Sequence, residues 1–260
     1  MKLQQIAVQI YTVRDHTQTP AALNDSLAKL KSIGFTAVEL TAFEHTQHTD
    51  VARMLADNEL ACTSIHIDPQ IIRESPEGVI ETLETLGCNH AVYPYPADVD
   101  WSNKASIDSL IHDLDNAGRV LAKAGKSLAY HNHSLEFRKT NNQTVLDVIY
   151  DAVDAKYLQA EIDAYWIHHG GGENVVWCNK LAGRLPLLHV KDYVINDQDE
   201  PTFCEVGAGN LDFKRIIPAA EKAGCKWFVI EQDVCPGDPF DSLKQSYEYA
   251  VANLIDLPLA

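Results

Sequence analysis

Short apolar runs alternate along the chain with longer stretches of helical period. The runs 6–11, 36–40, 61–67, 90–95, 127–133, 158–163, 185–190 and 227–232 read as strands. Residues 20–33 read as a helix. Thr19 is placed to cap it, Pro20 suits the first helical position, and Leu23, Leu27, Leu30 and Ile33 recur on one face. Gly34 stops it, and a glycine again separates helix from strand at Gly87, Gly125 and Gly224. This recurrence is fold grammar, with no duplicated sequence behind it.

Strands that alternate with helices pair in parallel. Eight such units in 260 residues, about 32 residues each, match a closed (β/α)8 TIM barrel spanning 1–260 as one domain. A doubly wound sheet would carry a glycine-rich phosphate loop after its first strand; here that segment, TVRDHTQTP, has no glycine. The chain is 46% apolar, which excludes disorder. It has 37 acidic and 21 basic residues, a formal net charge of −16, which disfavours nucleic acid and anionic membrane surfaces as partners. No apolar run approaches a membrane span, and the N-terminus lacks the pattern of a signal peptide. Six scattered cysteines without a Cys-x-x-Cys pair suit a reducing compartment, so a cytoplasmic protein is expected.

In a barrel, chemistry sits at the C-terminal ends of the strands. Those ends are unusually polar: Gln9 and Tyr11, Glu39, His66 and Asp68, His131-Asn132-His133, Glu161 and Asp163, His189, Lys191 and Asp192, and Glu231 and Asp233. Carboxylates and imidazoles rarely finish a buried strand unless paired or bound. A ring that mixes the two suits one divalent cation of intermediate hardness: Mn²⁺, Co²⁺, Zn²⁺ or Mg²⁺.

Plainer explanations cover part of this set. Asp15 and Asp192 read as caps or turn residues, and His16, His45, His48, His112, His168 and His169 as solvated or loop residues. Glu39 and His66 divide evenly between lining the site and structural hydrogen bonding. For His131, Asp163, His189 and Glu231 together, a plain reading would need four separate explanations.

The segments YHNHSLEF (130–137), EIDAYWIHHGG (161–171), LLHVKDY (187–193), EVGAGNLDF (205–213) and FVIEQD (228–233), with VQIYTVRD (8–15), resemble the sugar phosphate isomerase/epimerase family. This is the xylose isomerase-like TIM-barrel group that also contains endonuclease IV. The resemblance implies one metal ion at the barrel mouth, with Asp163, His189 and Glu231 as ligands. At strand 5, many relatives have glutamate where this chain has His131. His131 is therefore expected as the fourth ligand, with Glu136 facing the substrate.

The implied chemistry is proton transfer beside a sugar carbonyl, by isomerisation or epimerisation. Glu231 is the expected base, and His133 or Glu136 the second group. Lys191 would hold a substrate oxygen, Trp166 would wall the sugar ring, and His66 and Glu39 would line the site. The same equipment suits a lyase or dehydratase acting on a keto-sugar, keto-glycoside or inosose. An endonuclease IV-like phosphodiesterase is opposed by the charge, and a non-catalytic sugar-binding barrel is the remaining alternative. Backbone amides of the loop 205–210 could hold a phosphate, but adjacent Glu205 and the scarcity of arginine favour an unphosphorylated sugar or polyol. A homo-oligomer is compatible with the sequence.

Overall fold

The computed structural model describes residues 1–43 and 45–258. Eight parallel strands close a barrel: β1 Ile6–Gln9, β2 Ala37–Leu40, β3 Ala61–His66, β4 His90–Tyr93, β5 Ser127–His131, β6 Leu158–Asp163, β7 Leu187–Val190 and β8 Trp227–Ile230. Each strand neighbours the next, and β8 closes on β1 with Ile6 opposite Phe228. The main surrounding helices are α1 Pro20–Ile33, α2 His48–Asp57, α3 Pro76–Leu86, α4 Lys104–Lys123, α5 Val145–Ala152, α6 Asn174–Lys180, α7 Phe213–Ala223 and α8 Pro239–Asn253. This is the (β/α)8 barrel expected from the alternation.

The local signals act as read. Thr19 Oγ1 accepts the Ala22 amide at 3.2 Å, Pro20 opens α1, and Leu23, Leu27 and Leu30 are fully buried. Gly34, Gly87, Gly125 and Gly224 all have positive φ.

Most strands are shorter than the apolar runs that announced them. β1 ends at Gln9, and Tyr11 lies in the 3-10 segment Ile10–His16. β5 ends at His131, leaving His133 beyond the ladder. Two small antiparallel hairpins were not expected: Asp192–Ile195 with Pro201–Cys204, and Lys139–Thr140 with Gln143–Thr144.

The barrel interior is layered. Ala7, Ala37 and Val229 form one small apolar cluster, and Val92, Ala129 and Leu187 another. Two residues further along the strands, the inward positions turn polar: Gln9, Glu39, His131, His189 and Glu231. A β-bulge helps place this layer. Val38 pairs with Cys62 but Glu39 with Ser64, so Thr63 is the extra residue. The shift sets Ser64 beside Glu39, and its hydroxyl donates to the Glu39 carboxylate. Among the described residues no helix is long and apolar enough to cross a membrane. All six cysteines are free thiols.

Candidate active site

At the C-terminal ends of the strands lies a cleft of about 640 Å³. His66, His131, His133, Lys191, Glu231 and Asp233 line its chemically active part, and Tyr11, Arg14 and Tyr95 belong to its wall. Below it, Glu39, Glu161, Asp163 and His189 are completely buried.

Strand register sorts these groups into two overlapping sets. On β5 and β6, His131 pairs with Glu161; on β6 and β7, Asp163 pairs with His189. The deeper set gathers around Glu161 Oε2, which lies 2.9 Å from His66 Nε2, 3.1 Å from His131 Nδ1 and 3.4 Å from His189 Nε2. The upper set is Asp163, His189 and Glu231, with His189 Nδ1 2.9 Å from Glu231 Oε2 and 3.8 Å from Asp163 Oδ2. His189 joins both sets, one through each ring nitrogen.

This differs from the expectation that His131, Asp163, His189 and Glu231 surround one point. His131 faces Glu161, and the donor atoms that approach one another are His66, His131, Glu161 and His189 in one group and Asp163, His189 and Glu231 in the other. The upper group also holds a cation of its own. Lys191 Nζ lies 3.0 Å from Asp163 Oδ2, 2.7 Å from Glu231 Oε2 and 3.0 Å from Asp233 Oδ1. An ammonium and a divalent ion about 3 Å apart repel by on the order of 10 kcal/mol even at an effective dielectric near 20.

Several other residues stand elsewhere than expected. Glu136 does not reach the cleft. It is fully buried, with Oε1 accepting from the Tyr130 hydroxyl at 2.8 Å and Oε2 from the His133 amide at 2.9 Å. It therefore braces the turn that carries His133. Trp166 backs the His133 ring at 5.3 Å and is not part of the cleft wall. Glu39 lies beneath the site, accepting from Gln9 Nε2 at 2.7 Å and lying 2.7 Å from His189 Nε2. His66, expected to touch substrate, both lines the cleft and joins the deeper donor set. His168, read as a solvated or loop residue, is exposed but sits 2.5 Å from the Tyr193 hydroxyl.

The loop 205–210 is filled from within. Asp192 accepts the amides of Gly207 (3.0 Å), Gly209 (3.2 Å), Leu211 (3.1 Å) and Tyr193 (2.9 Å). A Cβ at Gly209 would meet Asp192 Oδ1 at 2.3 Å. The amides considered for a phosphate hold the chain's own carboxylate.

Two residues carry more than the motif reading gave them. Glu161 anchors the deeper donor set, and Asp233 holds Lys191 through both oxygens while lining the cleft. The signal was present in the spacing: Glu161/Asp163 is an i, i+2 pair, which points to one side of a strand, and Glu231/Asp233 repeats that spacing just past the end of β8.

Burial pushes the Glu161 carboxyl well above its usual range, and the Glu39 charge adds to this. Burial would raise Glu39 too, but His66 and His189 hold it well below. Burial disfavours charge on His189, yet Glu161, Glu39 and Glu231 raise it well above an ordinary imidazole. Burial, then the positive charge of Lys191, brings His133 down to about 3, so it is neutral at pH 7. Burial, then Glu231, pushes Asp233 up to about 6.

The family model described as xylose isomerase-like TIM barrel matches residues 27–251. The chain belongs to this family. Among curated proteins it is 25% identical over 180 residues to the inosose dehydratase of Lactiplantibacillus plantarum; the match covers 63% of this chain and 57% of the dehydratase. The match thus spans little more than half of that relative's length. A sugar phosphate isomerase/epimerase structure from Parabacteroides distasonis superposes with a TM-score of 0.80 at 21% identity, covering 95% of this chain and 93% of the other. A xylose isomerase-like TIM-barrel protein from Mycobacterium smegmatis, solved in complex with magnesium, gives 0.74 at 16% identity and covers 100% of both chains.

The side chains of this xylose isomerase-like barrel fit a divalent ion chemically. They offer imidazole nitrogens and carboxylate oxygens in two overlapping buried groups, in which Glu161 Oε1 accepts no hydrogen bond. Buried polar atoms of native proteins rarely stay without a hydrogen-bond partner.

Proposed function

We propose that this barrel is a metal-dependent sugar isomerase or epimerase that moves a proton on the carbon beside a carbonyl. The observation that carries the reading is the convergence of Lys191, Glu231, Asp233 and His133 on the cleft that the donor groups His66 and His131 also line. A divalent ion held by that cluster would supply Lewis acidity to the carbonyl oxygen.

The chain's own groups supply the proton handling. Glu231 lines the cleft as a carboxylate and can accept a proton from the substrate carbon. His133 presents a neutral ring whose Nδ1 has no hydrogen-bond partner, which suits a second proton-handling group. The Lys191 ammonium is kept charged, with burial overcome by Asp163, Glu231 and Asp233, and so can stabilise negative charge developing on a substrate oxygen. Asp192 filling the loop amides supports an unphosphorylated sugar or polyol-derived ketone as substrate.

A second reading, loss of water from a keto-sugar or inosose, is favoured by the match to an inosose dehydratase. Both readings begin with the same proton abstraction. They part afterwards, by proton return or by departure of a hydroxyl.

The test is a panel of keto-sugars and keto-polyols incubated in D₂O with metal in excess, read by mass spectrometry. Isomerisation or epimerisation adds one deuterium at an unchanged formula; dehydration gives a product lighter by one water. Glu231→Gln keeps the side-chain shape but cannot accept the proton, so exchange should fall about 10²–10⁴-fold, chiefly in kcat. His133→Asn is run beside it. Exchange lost only in His133→Asn would assign the base to His133. Near-native exchange in both variants would remove proton transfer from this cleft.

A further inference from the structure

We propose that the divalent ion of this barrel is held by His66 Nε2, His131 Nδ1, His189 Nε2 and the Glu161 carboxylate, one layer beneath the carboxylates that Lys191 neutralises. This deepens the proposed function by placing its ion.

The spacing is the first argument. Ligand atoms 2.0–2.1 Å from a tetrahedral ion stand about 3.3–3.4 Å from one another. The three imidazole nitrogens lie 2.9, 3.1 and 3.4 Å from Glu161 Oε2, so small outward shifts open a four-ligand cage. All four donor atoms fall within 4.8 Å of one another. Three imidazoles with one carboxylate favour Zn²⁺ or Co²⁺ over Mg²⁺, which prefers oxygen.

The surroundings support the same place. Glu161 is fully buried, and its Oε1 has no hydrogen-bond partner. His189 Nδ1 is 2.9 Å from Glu231 Oε2, a contact that would keep the ring proton on Nδ1 when an ion displaces the proton that Nε2 shares with Glu39. Glu39 Oε1 lies 2.7 Å from His189 Nε2 and 3.1 Å from His66 Nε2, giving a second negative charge beside the ion. Gln9 and Ser64 hold Glu39 in position. His66 and His131 line the cleft, so the cage opens toward a substrate on one side only. In the upper set, by contrast, the Lys191 ammonium already bridges Asp163 and Glu231.

The whole chain, stripped with a chelator and desalted, is titrated with Co²⁺. Visible absorption reports coordination, and elemental analysis reports stoichiometry. One Co²⁺ per chain is expected, with the visible bands of a four-coordinate, nitrogen-rich site. Glu161→Gln and His131→Gln should each weaken Co²⁺ binding at least about 100-fold, more than loss of an outer partner usually does. Asp163→Asn should change it less than about tenfold. Circular dichroism of each variant checks folding, and either deep-set variant alone suffices if the other does not fold. The proposal is overturned if Asp163→Asn abolishes binding while the deep-set variants keep it, or if the wild-type chain binds no Co²⁺. Binding is read without turnover, so failure here is distinguishable from failure of the proton-transfer reading, which the deuterium experiment judges.

Discussion

Asp192 illustrates how a strand-end carboxylate can belong to the scaffold. It follows the His-x-Lys motif directly, yet its oxygens accept four backbone amides. Asp192→Ala strips the acceptor from all four. Water can reach Gly207, which is exposed, but not the buried Tyr193. Unfolding in urea should show a loss of about 2–4 kcal/mol, since a buried donor left unpaired costs about 1–3 kcal/mol. A loss below 0.5 kcal/mol would mean that water replaces the carboxylate throughout the loop. At this scale the sequence shows which residue types crowd the strand ends, but it does not show register. His131 and Glu161 are 30 residues apart, and only the pairing of β5 with β6 makes them neighbours. Nor does an i, i+2 spacing say how deep each member sits: Glu161 lies beneath the cleft, while Asp233 lines it.

Elements were legible where a local signal encodes them. The cap at Thr19 and the positive-φ glycines after α1, α3, α4 and α7 are chemistry written in one or two residues. Strand ends were not, because an apolar run continues past the point where its neighbours stop pairing: the run 90–95 pairs only over His90–Tyr93. Close approach is equally silent in sequence. Gly118 sits in the middle of α4, where alanine would ordinarily stabilise the helix by about 1 kcal/mol. Here a Cβ would stand 2.0 Å from the Tyr157 carbonyl oxygen, a backbone atom just before β6. Overpacking of that kind costs about 1–3 kcal/mol and more where backbone must move. Gly118→Ala should therefore lower stability by about 1–3 kcal/mol in chemical denaturation. A gain would show that α4 and β6 separate freely.

The whole barrel concentrates unlike charges where its apolar layer ends. Glu39, Glu161, Asp163, Glu231 and Asp233 converge there, and their cationic partners are Lys191 and the His189 ring. The closed sheet was readable from eight alternating units, but this imbalance follows from closure, which turns all these strand ends toward one axis. Carboxylates in such surplus, shielded from water, favour the folded state less than they would with a further cation among them. A divalent ion that binds only the folded chain adds about 2.7 kcal/mol at a hundredfold excess over its Kd. For a chain of this size 1 kcal/mol moves the unfolding midpoint by about 2–4 °C. Thermal unfolding of chelator-stripped protein should thus rise by about 5–10 °C when Co²⁺ is added at that excess, and fall back when chelator returns. Glu161→Gln should lose most of this rise even where its own midpoint without metal is unchanged or higher, because an uncharged amide removes repulsion from Glu39 while it removes a ligand. An unfolding midpoint that ignores both metal and chelator would mean that Lys191 and His189 already balance the cluster, and that no ion is needed to hold the barrel mouth together.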